Sequence, residues 1–429
     1  MKQYIVLLVT LVFTVVFAGS LSTLAPAYAE TRTLLPAGTP GLPSVVRSNE
    51  KGHDWVQREA PPSLAASLSV KLFLPVVFSY SPSFVPLGLY AVSEDDFGKV
   101  KAGGFNMVHQ YDSRQSLAGA KAYLEAAQVA GLKVRQNMPD QYLYAGDEFW
   151  IEWVTTLSAY DNLAWWYLPE EPTDHAAIAR LYGIVHQYDP RHRPATTYFG
   201  TIEGLEDWCD VVDIVMIGSY PEYHGYPRAS MKTAIDAARK ACPSRVVIGV
   251  PQFFDSSDFG GSGGYPTPHA ARCDAYTALI AGAKGLDWFS YERGARLTDL
   301  WEGLQGIAHE LNELGPVVLS PDVPQTVTVD VISGPTQSPK TFSYVYDSIQ
   351  VLQKEQGGTF LFASNLATGT VVAEFNDLSP DVLAVDVLYE GRRIEVSAGA
   401  FRDSFSEADV HVYRAVTNTT RLPLFKSLP

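Results

Sequence analysis

Glu170 and Glu171 close the run Leu163-Ala164-Trp165-Trp166-Tyr167-Leu168-Pro169-Glu170-Glu171-Pro172. An unbroken apolar and aromatic stretch of this kind reads as a strand buried on both faces, and carboxylates at its C-terminal end stand where a parallel barrel keeps its chemistry. A second carboxylate opposite them would complete what glycosidic bond cleavage needs: one acid protonates the leaving oxygen, and the other attacks carbon or activates water. Glu171 is the expected proton donor. Glu292, in Tyr291-Glu292-Arg293, is the preferred second carboxylate, with Asp255 and Glu222 behind it. Each acid has a plainer alternative: an ion pair or helix-start anion for Glu171, a salt bridge to Arg293 for Glu292, simple solvation for Glu222. A gap of about 5–5.5 Å between the pair would retain configuration at the sugar, and roughly 6.5–9.5 Å would invert it.

Residues at the other strand ends would hold the substrate: Tyr90; His109 and Asp112; Asn137; Glu170; Tyr220 and Glu222; Gln252 and Asp255; Trp288 and Tyr291. Their rings could stack on the apolar faces of sugars, as could Trp150 or Trp153, and the alternative for any single ring is core packing. His109 and His224 read as hydrogen-bonding residues, because no His/Asp/Glu cluster has metal-ligand spacing. No metal and no cofactor is implied.

The elements that must position these residues alternate. Strand signals at 86–92, 105–111, 133–138, 163–168, 195–199, 211–219, 245–253 and 285–291 are separated by amphipathic helical stretches such as 93–102, 117–130, 174–187, 230–241, 269–283 and 298–314. Eight strand–helix units over this length predict an α/β fold, a (β/α)8 TIM barrel over 84–320. An open doubly wound sheet would need a glycine-rich first turn, and Val92-Ser93-Glu94-Asp95-Asp96 stands there instead. Beyond 321 the helical period stops. Short alternating strands at 326–332, 341–345, 349–353, 359–364, 370–375, 382–388, 392–396 and 410–413 predict a small all-β sandwich over 321–416, followed by a tail, 417–429.

The N-terminus carries a basic start, an apolar stretch from Tyr4 to about Ala18, and Ala27-Tyr28-Ala29, the pattern of an export signal over 1–29. A Pro/Ser-rich tether over 30–83 follows, interrupted by a short apolar run at 72–78. The chain is expected to be secreted or held at the cell surface, as a monomer with no membrane-spanning segment after cleavage. A formal charge of −15 argues against nucleic acid and against an anionic membrane surface, and suits a neutral carbohydrate. Cys209 and Cys242 each precede a predicted strand and could bridge at the bottom of the barrel, leaving Cys273 over. No Gly-x-Ser-x-Gly elbow is present, and Gly260-Gly261-Ser262-Gly263-Gly264 lacks the ending of a phosphate loop and reads as a flexible mouth loop.

Glu171-Pro172 after an aromatic strand resembles the Asn/Asp-Glu-Pro motif that ends the fourth strand of clan A glycoside hydrolases, where that Glu is the general acid/base. Gly88-Leu89-Tyr90, Phe105-Asn106-Met107-Val108 and Gly285-Leu286-Asp287-Trp288-Phe289-Ser290-Tyr291 resemble the first, second and last strands of those barrels, and Phe401-Arg402-Asp403-Ser404-Phe405 the β-sandwich often appended. The resemblance implies a glycosidase acting on an oligo- or polysaccharide through two carboxylates. It fails at one place: clan A enzymes carry their nucleophilic Glu at the end of the seventh strand, where this chain has Gln252. That departure keeps a second expectation open, a non-catalytic glycan-binding barrel.

Overall fold

The computed structural model describes residues 82–417. The predicted export signal, nearly all of the predicted tether with its apolar run at 72–78, and the tail beyond 417 lie outside the described residues. Eight parallel strands close into a barrel: β1 (Leu87–Leu89), β2 (Met107–Val108), β3 (Lys133–Asn137), β4 (Leu163–Tyr167), β5 (Ala195–Phe199), β6 (Ile214–Ser219), β7 (Val246–Pro251) and β8 (Leu286–Trp288), with β8 pairing back onto β1. The pleat explains the aromatic run of β4. Trp165 and Tyr167 point into the barrel beside Met107, Met216 and Ile248, while Trp166 points into the helix layer and donates its Nε1–H to Asp189 at 2.8 Å.

Three helices, Leu117–Val129, His175–Tyr188 and Pro268–Ile280, begin where a short polar side chain takes up a free backbone N–H group. Ser116 accepts from Gly119, Asp174 from Ala177 and Thr267 from Ala270. A helix absent from the sequence expectation, Asp147–Leu157, buries Trp150, Trp153, Val154 and Leu157 at i, i+3, i+4 and i+7, so both tryptophans are core residues away from the mouth. A Cys209–Cys242 disulfide, with Cα atoms 5.4 Å apart, links the segments that enter β6 and β7, and Cys273 is buried and free.

The remaining strands are antiparallel: β9 (Thr328–Ser333), β10 (Ile349–Glu355), β11 (Thr359–Asn365), β12 (Val371–Asn376), β13 (Val382–Val387), β14 (Arg392–Glu395), β15 (Phe401–Phe405) and β16 (Val410–Thr417). A five-stranded sheet, β10-β11-β16-β13-β14, faces a three-stranded sheet, β15-β12-β9. Leu361, Val385 and Tyr413 from one meet Ala373, Phe375 and Phe401 from the other, making a β-sandwich. Residues 341–345, predicted as a strand, instead form a tight turn in which the backbones of Thr341 and Tyr344 bond each other at 2.9 Å. The five-stranded sheet rests on the barrel: Thr277 bonds Ser364 at 3.2 Å, and Arg272 reaches the Val410 carbonyl at 2.6 Å.

Candidate active site

Glu170 occupies the mouth beyond β4. Its carboxylate accepts hydrogen bonds from the hydroxyls of Tyr111 and, at 2.8 Å, Tyr167, and the Tyr167 hydroxyl lies 3.1 Å from that of Tyr90. Burial among these rings raises the carboxyl to a pKa of about 7; the two tyrosine bonds oppose the shift, while the charges of Asp140 and Glu171 add to it. Desolvation also raises the hydroxyls of Tyr90, Tyr111, Tyr167, Tyr198 and Tyr220 above the ordinary phenol range, which keeps them proton donors. The site is thus a carboxyl near half-protonation at neutral pH, ringed by neutral hydroxyls.

Glu171 adopts a left-handed backbone at φ 44°, unusual for a residue with a side chain, and its N–H donates to the Tyr198 carbonyl at 2.9 Å. Its carboxylate lies over Gly200, where a Cβ would come within 2.1 Å of Oε1, so a side chain there would displace the carboxylate from this position. The residue is exposed, and desolvation still raises its carboxyl above the ordinary value. Ala91 and Tyr111, just beyond β1 and β2, are also left-handed, at φ 56° and 54°. Three such residues at the strand ends around Glu170 mark a mouth whose surroundings hold backbone strain in place.

Beneath the mouth lies an interior charge pair that sequence reasoning missed. Arg135 of β3 is fully buried 3.3 Å from Asp287 of β8, with its guanidinium 3.9 Å from the Tyr90 ring centre and 4.3 Å from that of Tyr167. Burial opposes the arginine's charge, and Asp287 with the tyrosine oxygens outweighs it; desolvation raises Asp287 to about 6. His109, also fully buried, has Nδ1 2.9 Å from Arg135 and is held well below the usual histidine range by burial and that cation, so it is neutral. A charged residue at the middle of each of two strands, Lys-Val-Arg-Gln-Asn and Leu-Asp-Trp, was the available signal.

The other predicted residues divide. Tyr90 and Tyr220 reach the ring of rings, and Tyr198 and Tyr220 bond each other. Asn137 is buried and donates to the Asp112 carbonyl, while the Asp112 side chain closes its own loop by accepting from the Arg114 N–H at 2.8 Å. Gln252 is spent on backbone, accepting from Tyr223 N–H at 3.3 Å and donating to the Phe254 carbonyl at 3.1 Å. Glu222 pairs with Arg228, which also holds Asp274 at 2.7 Å. Asp255 caps the turn Ser256–Phe259, and its bonds from Ser257 hold its carboxyl below the usual range. Glu292 is exposed on the turn after β8, which stands opposite β4 in the closed barrel. Trp288 points outward onto Phe105, and Tyr291 is buried against Trp301, so neither faces the mouth; Phe289 does, next to Tyr90, Tyr111 and Tyr220. Counting alternate residues from the inward Asp287 would have found it. The glycine-rich stretch after β7 is closed by Ser256, whose N–H and hydroxyl both bond the Gly264 carbonyl.

Among the described residues no group of three or more His, Cys, Asp or Glu is arranged to hold a metal ion, and no helix is long and apolar enough to cross a membrane.

No protein-family profile and no curated protein sequence matches the chain. Solved structures do match its fold. A glycoside hydrolase family 5 protein from Bacteroides vulgatus aligns with a TM-score of 0.52 and 13% identity over 79% of this chain and 91% of its own. A family 27 β-L-arabinopyranosidase from Geobacillus stearothermophilus gives 0.51 and 9% over 80% and 98%, and an α-amylase from Anoxybacillus gives 0.50 and 8% over 76% and 90%. At these identities the likeness is one of backbone architecture: the chain has a (β/α)8 barrel with C-terminal antiparallel sheets and shares its fold with glycoside hydrolases.

Proposed function

We propose that the chain is an exported glycoside hydrolase that cleaves O-glycosidic bonds of an oligo- or polysaccharide with a pair of carboxylates. The observation that carries this reading is Glu170, a half-buried carboxyl bonded by tyrosine hydroxyls at the strand ends, whose pKa desolvation raises to about 7. Proton donation is placed at the Glu170–Glu171 pair, with Glu170 the member whose surroundings best hold a proton. The second carboxylate in this reading is Glu292, exposed after β8, because Glu222 is held by Arg228 and Asp255 by its own turn. The ring of aromatic side chains supports a sugar substrate, and the Cys209–Cys242 bridge supports export to an oxidising compartment.

A second reading, a glycan-binding barrel without catalysis, is favoured by one observation: Gln252 replaces an acid at the end of β7 and is consumed by backbone bonds. The test is release of reducing sugar or chromophore from polysaccharides and aryl glycosides by the purified chain and its Glu170→Gln, Glu171→Gln and Glu292→Gln variants. Hydrolysis lost on removing a β4 acid and on removing Glu292 supports the enzyme. Binding without hydrolysis on every substrate supports the binder.

A further inference from the structure

The aromatic ring of the mouth does not end at the mouth. From Phe289, rings continue outward through Tyr220 (centres 6.2 Å apart), His224 (6.3 Å) and Tyr226 (4.9 Å), each nearly parallel to the one before. Tyr226 then meets Phe342 edge to face at 5.1 Å, and Phe342 belongs to the sandwich, in the turn at 341–345. Phe342, Tyr344 and Val345 are 54%, 44% and 46% exposed.

This turn is held in position. Tyr346 donates its hydroxyl to Thr233 on the barrel helix Ala229–Ala241 at 3.2 Å, and Lys232 stands 5.1 Å over its ring. Tyr344 lies parallel to Tyr346 at 6.2 Å. The sandwich thus presents two rings, Phe342 and Tyr344, and the adjacent Val345 to water as one exposed apolar cluster beside Tyr226 of the barrel. Charges along the way are already paired, Arg228 with Glu222 and Lys232 with Asp236 at 3.0 Å, and burial lowers the proton affinity of His224. What is left is a line of ring faces with hydroxyl edges and little net charge. That surface fits the C–H faces of sugar rings, which are drawn to the negative face of an aromatic ring, and their hydroxyls.

We infer that Tyr226, Phe342 and Tyr344 form a secondary binding strip for a neutral polysaccharide chain, continuous with the mouth and built jointly by barrel and sandwich. The inference rests on the carbohydrate reading of the mouth but not on catalysis, because the strip touches no acid of the site. It implies a preference for long chains, which occupy the mouth and the strip together, over short glycosides that fill the mouth alone.

The experiment is affinity electrophoresis of the full chain in gels containing soluble starch, mixed-linkage β-glucan, arabinoxylan or galactomannan, with Phe342→Ala/Tyr344→Ala and Phe342→Trp alongside. Aryl glycoside hydrolysis is measured in parallel. The wild type should be retarded by at least one polymer, and loss of the two rings should weaken that retardation about tenfold, as expected for the loss of one or two stacking contacts. Phe342→Trp, which keeps a ring at that position, should retain it, and hydrolysis of aryl glycosides should not change in either variant. Retardation that depends on Phe342 and Tyr344 in a chain without hydrolytic activity would sustain the strip while removing the enzyme reading. Equal retardation of wild type and double variant, or no retardation by any polymer, would overturn the inference. So would concentration-dependent self-association abolished by the double variant without polymer binding, which would assign the strip to a second copy of the chain.

Discussion

The two sides of the barrel mouth use the same functional group in opposite ways. On the β3–β4 side, desolvation raises Glu170 to a pKa of about 7 against the opposing bonds from two tyrosine hydroxyls, with smaller contributions from the charges of Asp140 and Glu171. On the β6–β7 side, Glu222 is neutralised by Arg228 and Asp255 is satisfied by Ser257, which holds its carboxyl below the usual range. An acid that is capped near the surface, as Asp255 is, is held toward its ionised form. An acid buried without such compensation is costly, and it is also the one that can give and take a proton near neutral pH. Strand-end position alone, which all of these residues share, does not separate the two kinds.

The strongest way to break the comparison is Glu170→Gln, which keeps the shape and one of the two acceptor oxygens but removes the ionisable proton. Turnover on any substrate found should fall by about 10²- to 10⁴-fold, the usual worth of a general acid, whereas Asp255→Asn should leave initial rates nearly unchanged. Next comes the support beneath the mouth. Arg135→Met strands Asp287 as a buried charge and should cost about 3–5 kcal/mol in chemical denaturation, with much of that recovered in the Arg135→Met/Asp287→Leu double variant. A double variant no more stable than the single one would mean that Asp287 is not the source of the cost.

Smaller effects sharpen the contrast. Tyr111→Phe removes a hydrogen bond that favours the ionised form of Glu170, so the alkaline limb of the pH–rate profile should move upward by about one unit. A downward shift would show that the tyrosine does not act on the carboxylate. Smallest is the stability effect of Asp255→Asn, which keeps a capping oxygen and loses only its charge. Its melting temperature should change little, corresponding to less than about 1 kcal/mol.

Much of this architecture was legible in the sequence because it rests on periodicity. Buried parallel strands read as apolar runs, helices as amphipathic ones, and the change after 321 as a switch to period two. Glu170 and Glu171 were visible for the same reason, as charges ending the strongest run in the chain. The pleat was harder: Trp288 drew attention as the larger ring, but Asp287 points inward toward Arg135, so Trp288 must point outward and Phe289 takes the mouth position. The turn at 341–345 misled because Thr-Phe-Ser-Tyr-Val alternates as a strand does. Tyr344 bonds back to Thr341, and Phe342 is left-handed at φ 53°, so these rings face outward without a neighbouring strand. Local pattern cannot reveal whether a partner strand exists. Nor can it tell Glu170 from Glu171, because the bonds and burial that set Glu170 apart come partly from Tyr111, in the loop after β2 and distant in sequence.

The central claim is that Glu170 is the poised carboxyl of the mouth, and its titration tests that most directly. Carboxyl-carbon NMR of the purified wild type, with Glu170→Gln to assign the resonance, should show a midpoint near pH 7. The linkage has a definite sign: a carboxyl whose folded pKa lies above its unfolded value stabilises the fold at low pH and loses that contribution as pH rises through about 7. Wild-type stability should therefore decline from the ordinary carboxylate range toward neutrality more steeply than that of Glu170→Gln. A midpoint near pH 4, with parallel stability profiles for the two proteins, would contradict the account and leave Glu170 an ordinary ionised side chain.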